Sequence, residues 1–416
     1  MKKFSFLLIA LCFSLLALAD IQLPHLFGSN MVLQRNKPIT VWGWASPGEK
    51  ITVQFNKQVK KTKTAKDGSW KLELDQEAAG GPYQLIAKGK NIITLDNVLV
   101  GEVWICSGQS NMEWPVKLTD SAEREMKAAD YSQIRHIKIP HVMETSPVKD
   151  FKEGEWEATT PATVGNFTAV GYYFARKLYN ELHVPIGLIN SSWGGTMVET
   201  WISKDALEKT EEFKDIFKEA TFQEVEVAAA KRSEKVDPNN YPSLLFNGMI
   251  NPLIPFSIRG AIWYQGETNA GRAFQYRKSF PLMIQDWRTR FKQGDFPFYF
   301  VQLASFNSDN GTTEKGSAWA ELREAQTATL TFPNTGMAVT MDIGQSKDIH
   351  PRNKQDVGAR LAAIALNDLY DKKMEKSGPV YESLKLDGPK ALVSFTHADG
   401  LMAKDKYGYL KGFEIA

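Results

Sequence analysis

Apolar and polar residues alternate with a period of two through much of residues 39–87, and this alternation predicts short β-strands. Trp42 and Trp44 lie two positions apart in the first run. Turn sequences rich in Gly, Pro, Asp and Ser separate the runs, and no helical period lies between them. The pattern therefore predicts a small all-β sandwich over residues 20–97. Its aromatic residues are expected to fill the core, with a sugar-binding platform as the alternative.

From residue 98 to about residue 375 the pattern changes to continuous apolar runs that alternate with segments of helical period. This alternation predicts an α/β domain, in which a parallel sheet is covered by helices on both faces. In such domains the binding sites lie at the carboxyl ends of the strands. The predicted strands are residues 98–106, 185–190, 258–264, 298–303 and 335–341. The predicted helices are residues 172–182, 281–291 (with Pro281 in the first turn), 319–330 and 357–370.

Two further segments are predicted from their composition. Residues 203–240 are rich in Lys and Glu, which indicates a solvated helical insertion. Residues 376–416 are β-rich again and end soon after a strand-like run at 408–413. We expect this C-terminal segment to be incomplete.

The N-terminus has the pattern of a secretory signal peptide. Lys2 and Lys3 precede an apolar stretch at residues 4–18, and a small-residue cleavage site ends at Ala19. The apolar stretch is too short for a membrane span, and no later stretch is long enough. We therefore expect residues 1–19 to be removed, leaving an exported protein, periplasmic in a bacterium, without a membrane anchor.

Composition and charge exclude several classes of protein. Of the 416 residues, 43% are hydrophobic and 24% charged, which is ordinary for a globular chain. The formal net charge of +2 argues against a nucleic-acid partner. Cys12 lies in the signal segment, so Cys106 has no partner for a disulfide, and a zinc site with several cysteines is excluded. We expect Cys106 to be a buried structural thiol.

The first candidate for chemistry is the segment SGQSNMEW at residues 107–114, which follows the strand that begins the α/β region. A strand that enters a Gly-containing turn can lift a hydroxyl off the sheet, here that of Ser110, and aim backbone N–H groups at the same space. The sequence is not Gly-x-Ser-x-Gly, because Met112 stands where the second glycine would be. The alternative is that the serines of this segment only cap a helix.

Two more strand ends carry candidate groups. Gly194 and Gly195 follow the strand at 185–190, and a glycine pair allows close backbone approach and can supply an oxyanion donor. Gln265, Glu267 and Asn269 follow the strand at 258–264, where they could complete an oxyanion hole or bind a sugar hydroxyl. A plain turn and a hydrogen-bonded loop are the respective alternatives.

The fourth strand end combines a carboxylate with an imidazole, in the order Asp348, Ile349, His350. Histidine suits proton transfer at neutral pH, and a nearby aspartate can fix its tautomer and stabilise the imidazolium. His350 alone among the six histidines has an aspartate at this spacing and a strand-end position. Ser110 and His350 therefore indicate a nucleophile and its base. Ser346 is a rival nucleophile, ranked lower because its own loop would crowd it.

Taken together, these segments resemble the sialate O-acetylesterase family. The resemblance includes FGSNMVLQ at 27–34, GQSNM at 108–112, WGGT at 193–196, WYQGETN at 263–269 and DIHP at 348–351. It implies a flavodoxin-like, SGNH-type esterase domain over residues 98–375. It also implies an O-acetylesterase that acts on acetylated sugars, with O-acetylated sialic acids as the favoured substrates and without a metal or organic cofactor.

The resemblance also implies roles for individual residues. Ser110 corresponds to the nucleophile, and Asp348 and His350 complete the triad. Gly194 and Gly195 correspond to parts of the oxyanion hole. The polar residues that would help to bind the oxyanion or the substrate are Gln265, Glu267 and Asn269.

Other functions fit parts of the same sequence. An acetyl xylan esterase would use the same triad. A glycosidase would pair Glu199 with Glu267 as its two carboxylates. A non-catalytic sugar-binding protein would keep the aromatic residues and need no triad.

Overall fold

The computed structural model describes residues 20–218, 220–307, 316–402 and 408. The predicted signal peptide and most of the strand-like run at 408–413 lie outside the described residues. Within the described part of the chain, no helix is both long enough and apolar enough to cross a bilayer.

The N-terminal region forms short β-strands, as the alternation of apolar and polar residues predicts. They are β1 (Val32–Gln34), β2 (Ile39–Trp44), β3 (Lys50–Phe55), β4 (Gln58–Lys63), β5 (Ser69–Leu74) and β6 (Gly80–Lys88). β2 pairs with β5, whereas β3 pairs with both β4 and β6. Trp42 and Trp70 are buried, so the expectation that they belong to the core is confirmed.

The predicted parallel sheet forms the centre of the molecule. Its strands are β7 (Ile92–Gly108), β8 (Tyr131–Lys138), β9 (Glu157–Thr159), β10 (Ile186–Ser192), β11 (Gly260–Tyr264), β12 (Phe298–Val301) and β13 (Thr335–Ala338). Their order is β13-β12-β11-β7-β10-β8-β9, and all pairs are parallel except that of the edge strand β9. Every residue of β10, β11 and β12 is buried, which requires cover on both faces of the sheet.

Helices connect the parallel strands. They are α1 (Ser110–Glu113), α2 (Ala122–Lys127), α3 (Ala169–Leu182), α4 (Lys204–Glu208), α5 (Phe222–Lys231), α6 (Ala273–Phe291), α7 (Ala318–Ala328) and α8 (Lys354–Tyr370). α3 packs closely against α8, because a Cβ on Gly358 would lie only 2.6 Å from the Cβ of Tyr173. α8 is thereby held against the sheet directly after the loop that carries His350.

β7 belongs to both parts of the fold. Its first half pairs with β6 and with β1, and its second half lies at the centre of the parallel sheet. Glu102 is fully buried within this strand and forms ion pairs with Arg35 (2.5 Å) and Arg259 (2.6 Å). Burial alone would raise the pKa of Glu102, but the two guanidinium groups outweigh it and lower this pKa.

Two predictions about elements need correction or qualification. The prediction that Pro281 lies in the first turn of a helix is wrong, because α6 begins eight residues earlier and Pro281 lies inside it. Buried residues such as Tyr276 and Phe280 pack this helix in place despite the lost backbone hydrogen bond. The predicted insertion at 203–240 contains α4 and α5, with turns between them.

In the C-terminal segment, β14 (Val380–Asp387) and β15 (Lys390–Thr396) form an exposed antiparallel hairpin.

Candidate active site

Ser110 stands at the carboxyl end of the central strand, as its sequence position predicts. β7 ends at Gly108, whose φ of +132° favours glycine. A Cβ there would lie 2.2 Å from the carbonyl oxygen of Tyr264, so a side chain would separate β7 from β11. The chain turns sharply after this glycine, and Ser110 begins α1 with its backbone N–H at the helix N-terminus, where it lacks an intrahelical partner.

The imidazole of His350 reaches this hydroxyl. His350 Nε2 lies 2.8 Å from Ser110 Oγ, although the two residues are 240 positions apart. The ring of Trp114 stacks on the imidazole with a centroid distance of 4.9 Å and an interplanar angle of 17°. Ser110 and His350 are both half-buried, so a substrate can reach the hydroxyl and the imidazole. This geometry suits proton transfer from the hydroxyl to the imidazole.

Asp348 contacts His350 through the main chain. Its Oδ1 accepts a hydrogen bond of 2.8 Å from the backbone N–H of His350. Among the described residues we find no hydrogen bond between this carboxylate and the imidazole ring, so the expected ring contact is not seen in this structure. The spacing Asp-x-His explains the difference, because an aspartate readily bonds the backbone N–H two residues on.

Burial and two charged neighbours of opposite sign set the pKa of the His350 imidazole. Burial is the largest cause that lowers the pKa of His350 below its usual value of 6.5, and the ammonium of Lys354 lowers it further. The carboxylate of Asp348 acts in the opposite direction and raises it. The net effect favours the neutral imidazole, which is the form that can accept a proton.

The glycine pair lies beside Ser110, but its two N–H groups differ. The N–H of Gly194 donates to Glu113 Oε2 at 2.9 Å, so it is already engaged. Gly195 has a φ of +75° and is exposed, and a Cβ there would meet nothing within 4 Å. Among the described residues no acceptor contacts the N–H of Gly195. Of the two expected oxyanion donors, Gly195 is thus the one whose N–H is free in this structure.

Glu113 holds this glycine turn through a charged network that the sequence reasoning missed. Its Oε1 lies 2.9 Å from His141 Nε2 and 3.1 Å from Lys138 Nζ. Burial alone would raise the pKa of Glu113, but the hydrogen bonds and charges of His141 and Lys138 outweigh it and lower this pKa to about 2. The position of Glu113 one helical turn after Ser110 was the available signal, since residues three apart share a helix face.

The polar groups of Gln265 and Asn269 are engaged inside the protein. Gln265 Nε2 donates to the carbonyl of Thr196 (3.0 Å) and to Asn269 Oδ1 (2.7 Å). Asn269 Oδ1 also accepts from the N–H of Val198, and its Nδ2 donates to Glu199. Both side chains are fully buried. They therefore connect the segment after the glycine turn to the third strand end, and they do not face the space above Ser110 with free donors.

The two carboxylates of the glycosidase alternative are likewise held by protein partners. Glu199 accepts from Asn269 (3.0 Å) and from Arg272 (3.1 Å). Glu267 Oε1 accepts from Asn111 Nδ2 at 2.5 Å, and its Oε2 is buried without a hydrogen-bond partner among the described residues. Burial is the main cause that raises the pKa of Glu267.

Two further expectations concern a thiol and a rival hydroxyl. Cys106 is fully buried in β7, which confirms the expectation of a structural thiol, and burial raises its pKa. Ser346 lies in the same loop as His350, and its carbonyl accepts from the N–H of Asn307. The imidazole nitrogen Nε2 contacts Ser110 and not this rival.

A hydroxyl and an imidazole in contact at the carboxyl edge of a parallel sheet are the arrangement of a serine-type hydrolase. Comparison with known proteins supports a hydrolase of ester bonds. Residues 100–367 match the family model described as carbohydrate esterase, sialic acid-specific acetylesterase. The chain is 32% identical to the human sialate O-acetylesterase, over 93% of this chain and 78% of the human protein. It is 33% identical to the mouse sialate O-acetylesterase, over 93% of this chain and 80% of the mouse protein.

A solved structure supports the same assignment. The crystal structure of a carbohydrate acetylesterase from Xanthomonas citri is 41% identical, with a TM-score of 0.81, and covers 90% of this chain and 81% of that one. The chain therefore belongs to the sialic acid-specific acetylesterase family of carbohydrate esterases, as the sequence motifs predict. It is a carboxylic ester hydrolase.

Proposed function

We propose that this protein removes O-acetyl groups from acetylated sugars, with Ser110 as the nucleophile and an acetyl-enzyme as the intermediate. The 2.8 Å contact between Ser110 Oγ and His350 Nε2 is the observation that carries the proposal. His350 takes the hydroxyl proton as Oγ attacks the acetyl carbonyl carbon. The tetrahedral intermediate then collapses, and His350 gives this proton to the departing sugar oxygen. His350 then takes a proton from a water molecule that attacks the acetyl carbon, and it returns this proton to Ser110 Oγ as acetate leaves.

The negative charge on the carbonyl oxygen needs donors that are already in place. We assign this role to the N–H groups of Ser110 and Gly195, because Gly194 is bonded to Glu113. Losing one donor of this kind costs about 3 to 4 kcal/mol of transition-state stabilisation. Gly194, Gln265 and Asn269 would then support the shape of the turn without touching the substrate.

Asp348 would act on His350 in two ways. Its hydrogen bond to the backbone N–H fixes the loop, and its negative charge raises the pKa of the imidazole and so favours the imidazolium that forms during attack. No step of this mechanism requires a metal or an organic cofactor.

We propose O-acetylated sialic acids as the favoured substrates, because the matching family model and the mammalian relatives are named for them. Acetylated xylan is the second candidate. The protein from Xanthomonas citri is more similar in sequence to this chain than the human and mouse proteins are. It is described as a carbohydrate acetylesterase, without reference to sialic acid. Acetate release from O-acetylated sialic acid and from acetylated xylan, measured side by side, distinguishes the two. A higher kcat/KM on xylan would overturn the sialate assignment.

We also propose the domain boundaries and the location of the protein. Residues 20–97 would form a β-sandwich domain, residues 98–375 the SGNH-type, flavodoxin-like esterase domain, and residues 376–416 a separate β-rich segment. Residues 1–19 would direct export and be removed. N-terminal sequencing of protein from the periplasm of an expressing bacterium should begin at Asp20, and a start at Met1 would contradict export with cleavage.

The nucleophile is tested with Ser110→Ala and the matched control Ser346→Ala. We expect Ser110→Ala to lose at least a thousandfold in p-nitrophenyl acetate hydrolysis while its circular dichroism spectrum is unchanged. Ser346→Ala should keep most of the activity. The nucleophile assignment is wrong if Ser110→Ala keeps near-full activity.

A further inference from the structure

Lys354 occupies a position that is unfavourable for a cation in two respects. Its side chain is completely buried. It is the first residue of α8, where the helix dipole disfavours positive charge. Burial lowers its pKa to about 7, although Glu267 and Asp348 act in the opposite direction. An enzyme tolerates such a residue where it serves the active site, and Lys354 follows His350 by four residues.

The ammonium is connected to both catalytic segments by one amide. Lys354 Nζ donates to Asn111 Oδ1 at 2.5 Å, and Asn111 directly follows Ser110. Asn111 Nδ2 donates in turn to Glu267 Oε1 (2.5 Å) and to the carbonyl of Ile349 (2.9 Å). With a cation on its oxygen and acceptors on its nitrogen, the amide has one favourable orientation. It therefore joins the Ser110 turn to the residue that precedes His350.

Aromatic rings complete the surroundings of the ammonium. Lys354 Nζ lies 5.3 Å from the ring centre of Tyr264 and 5.9 Å from that of Trp114. Trp114 is also the ring that stacks on His350. The ammonium thus lies in a dry, aromatic environment next to the imidazole, where its field is weakly screened.

We propose that Lys354 is a positioning residue of the esterase, which holds the His350 loop against Ser110 through Asn111 and keeps the imidazole uncharged. This inference rests on the proposed function, since it assigns Lys354 a task only if His350 is the base. It extends that function to a residue that touches neither the substrate nor the reacting atoms.

The sign of the expected pH effect follows from the charges around the two groups. Among the described residues, the charges that act on His350 are Lys354, which lowers its pKa, and Asp348, which raises it. The charges that act on Lys354 are Glu267 and Asp348. With a pKa of about 7, Lys354 is still charged while His350 titrates below 6.5. Removing the ammonium should therefore raise the pKa of His350 and move the acid limb of activity to higher pH.

The test compares Lys354→Met with Lys347→Met, since Lys347 is an exposed lysine near His350 in sequence. For Lys354→Met we expect kcat on p-nitrophenyl acetate to fall at least tenfold with KM changed less than threefold. We also expect the acid limb of the kcat/KM profile to move to higher pH. Lys347→Met should leave both unchanged. An acid limb of Lys354→Met that coincides with the wild-type limb would overturn the proposal.

A double variant separates positioning from a purely structural role. Lys354→Met leaves the carboxylate of Glu267 without its nearby cation, so it should lower the melting temperature. Lys354→Met combined with Glu267→Gln removes both charges, and we expect it to regain stability while the acid limb stays displaced. If the double variant regains the wild-type pH profile together with its stability, Lys354 has only a structural role. Activity that survives Ser110→Ala would instead refute the proposed function itself.

Discussion

Glu113→Gln tests the network that holds the glycine turn beside Ser110. The substitution keeps the shape of the side chain and removes its negative charge. In the native protein this carboxylate accepts from the N–H of Gly194 and pairs with His141 and Lys138. The variant should therefore lose both folding stability and precision in the turn that carries Gly195, the proposed oxyanion donor.

The effect on stability can be estimated from the pKa of Glu113, which falls from 4.5 to about 2 on folding. That difference corresponds to roughly 3 kcal/mol of folding free energy at pH 6. Because the folded-state pKa is the lower one, this contribution is complete well above pH 4.5 and is lost as the pH falls toward 2. By the same relation about 1.5 kcal/mol remains at pH 3.

The assay is urea unfolding of the wild type, of Glu113→Gln and of Glu123→Gln, an exposed glutamate that serves as the control. We expect Glu113→Gln to be about 2 to 3 kcal/mol less stable at pH 6, with the difference roughly halved at pH 3. Its kcat should fall about tenfold, because a neutral acceptor binds the N–H of Gly194 less strongly. A stability difference that is independent of pH would refute the reasoning.

Three further outcomes are expected. A Cβ on Gly194 would lie 3.2 Å from the Cβ of Ser110, so Gly194→Ala should lower kcat at least tenfold, and wild-type kcat would contradict the crowding. Glu102→Gln leaves two arginines without their buried partner and should cost about 3 to 5 kcal/mol in urea unfolding, while the fraction that remains folded keeps its kcat. A loss of folding stability under 1 kcal/mol would argue against a stabilising role of the ion pairs of Glu102. Because the pKa of His350 is lowered, the acid limb of wild-type kcat/KM should lie below pH 6.5, and a limb above pH 7 would contradict this.

The sequence was sufficient to predict the main features of the α/β region. Continuous apolar runs predicted the parallel strands, and parallel strands place their carboxyl ends at one edge of the sheet. Ser110 and His350 could therefore be expected together although 240 residues separate them. The first residue of β7 was predicted less accurately. Its first residues alternate between exposed and buried as in an antiparallel strand, and its last residues are mostly apolar, so the predicted strand began only at residue 98 of this 17-residue strand.

Hydrogen-bond partners were harder to predict than positions. Gln265 and Asn269 stand at a strand end, as expected, but their amides bond to Thr196 and to each other. The sequence indicates that a polar side chain lies near a site, but it does not indicate which group forms a hydrogen bond with that side chain. The same limit hid Lys354, because a lysine at the start of a helix ordinarily points to solvent and only the packing of α8 buries it.

The most direct test of the account is the site at which a fluorophosphonate reacts. The wild-type protein is incubated with the reagent, digested and analysed by mass spectrometry, with His350→Ala as the comparison. We predict one stoichiometric adduct on Ser110, formed at a rate that falls at least a hundredfold in His350→Ala. An adduct on Ser346, or an enzyme that hydrolyses p-nitrophenyl acetate without being labelled at Ser110, would contradict the central claim.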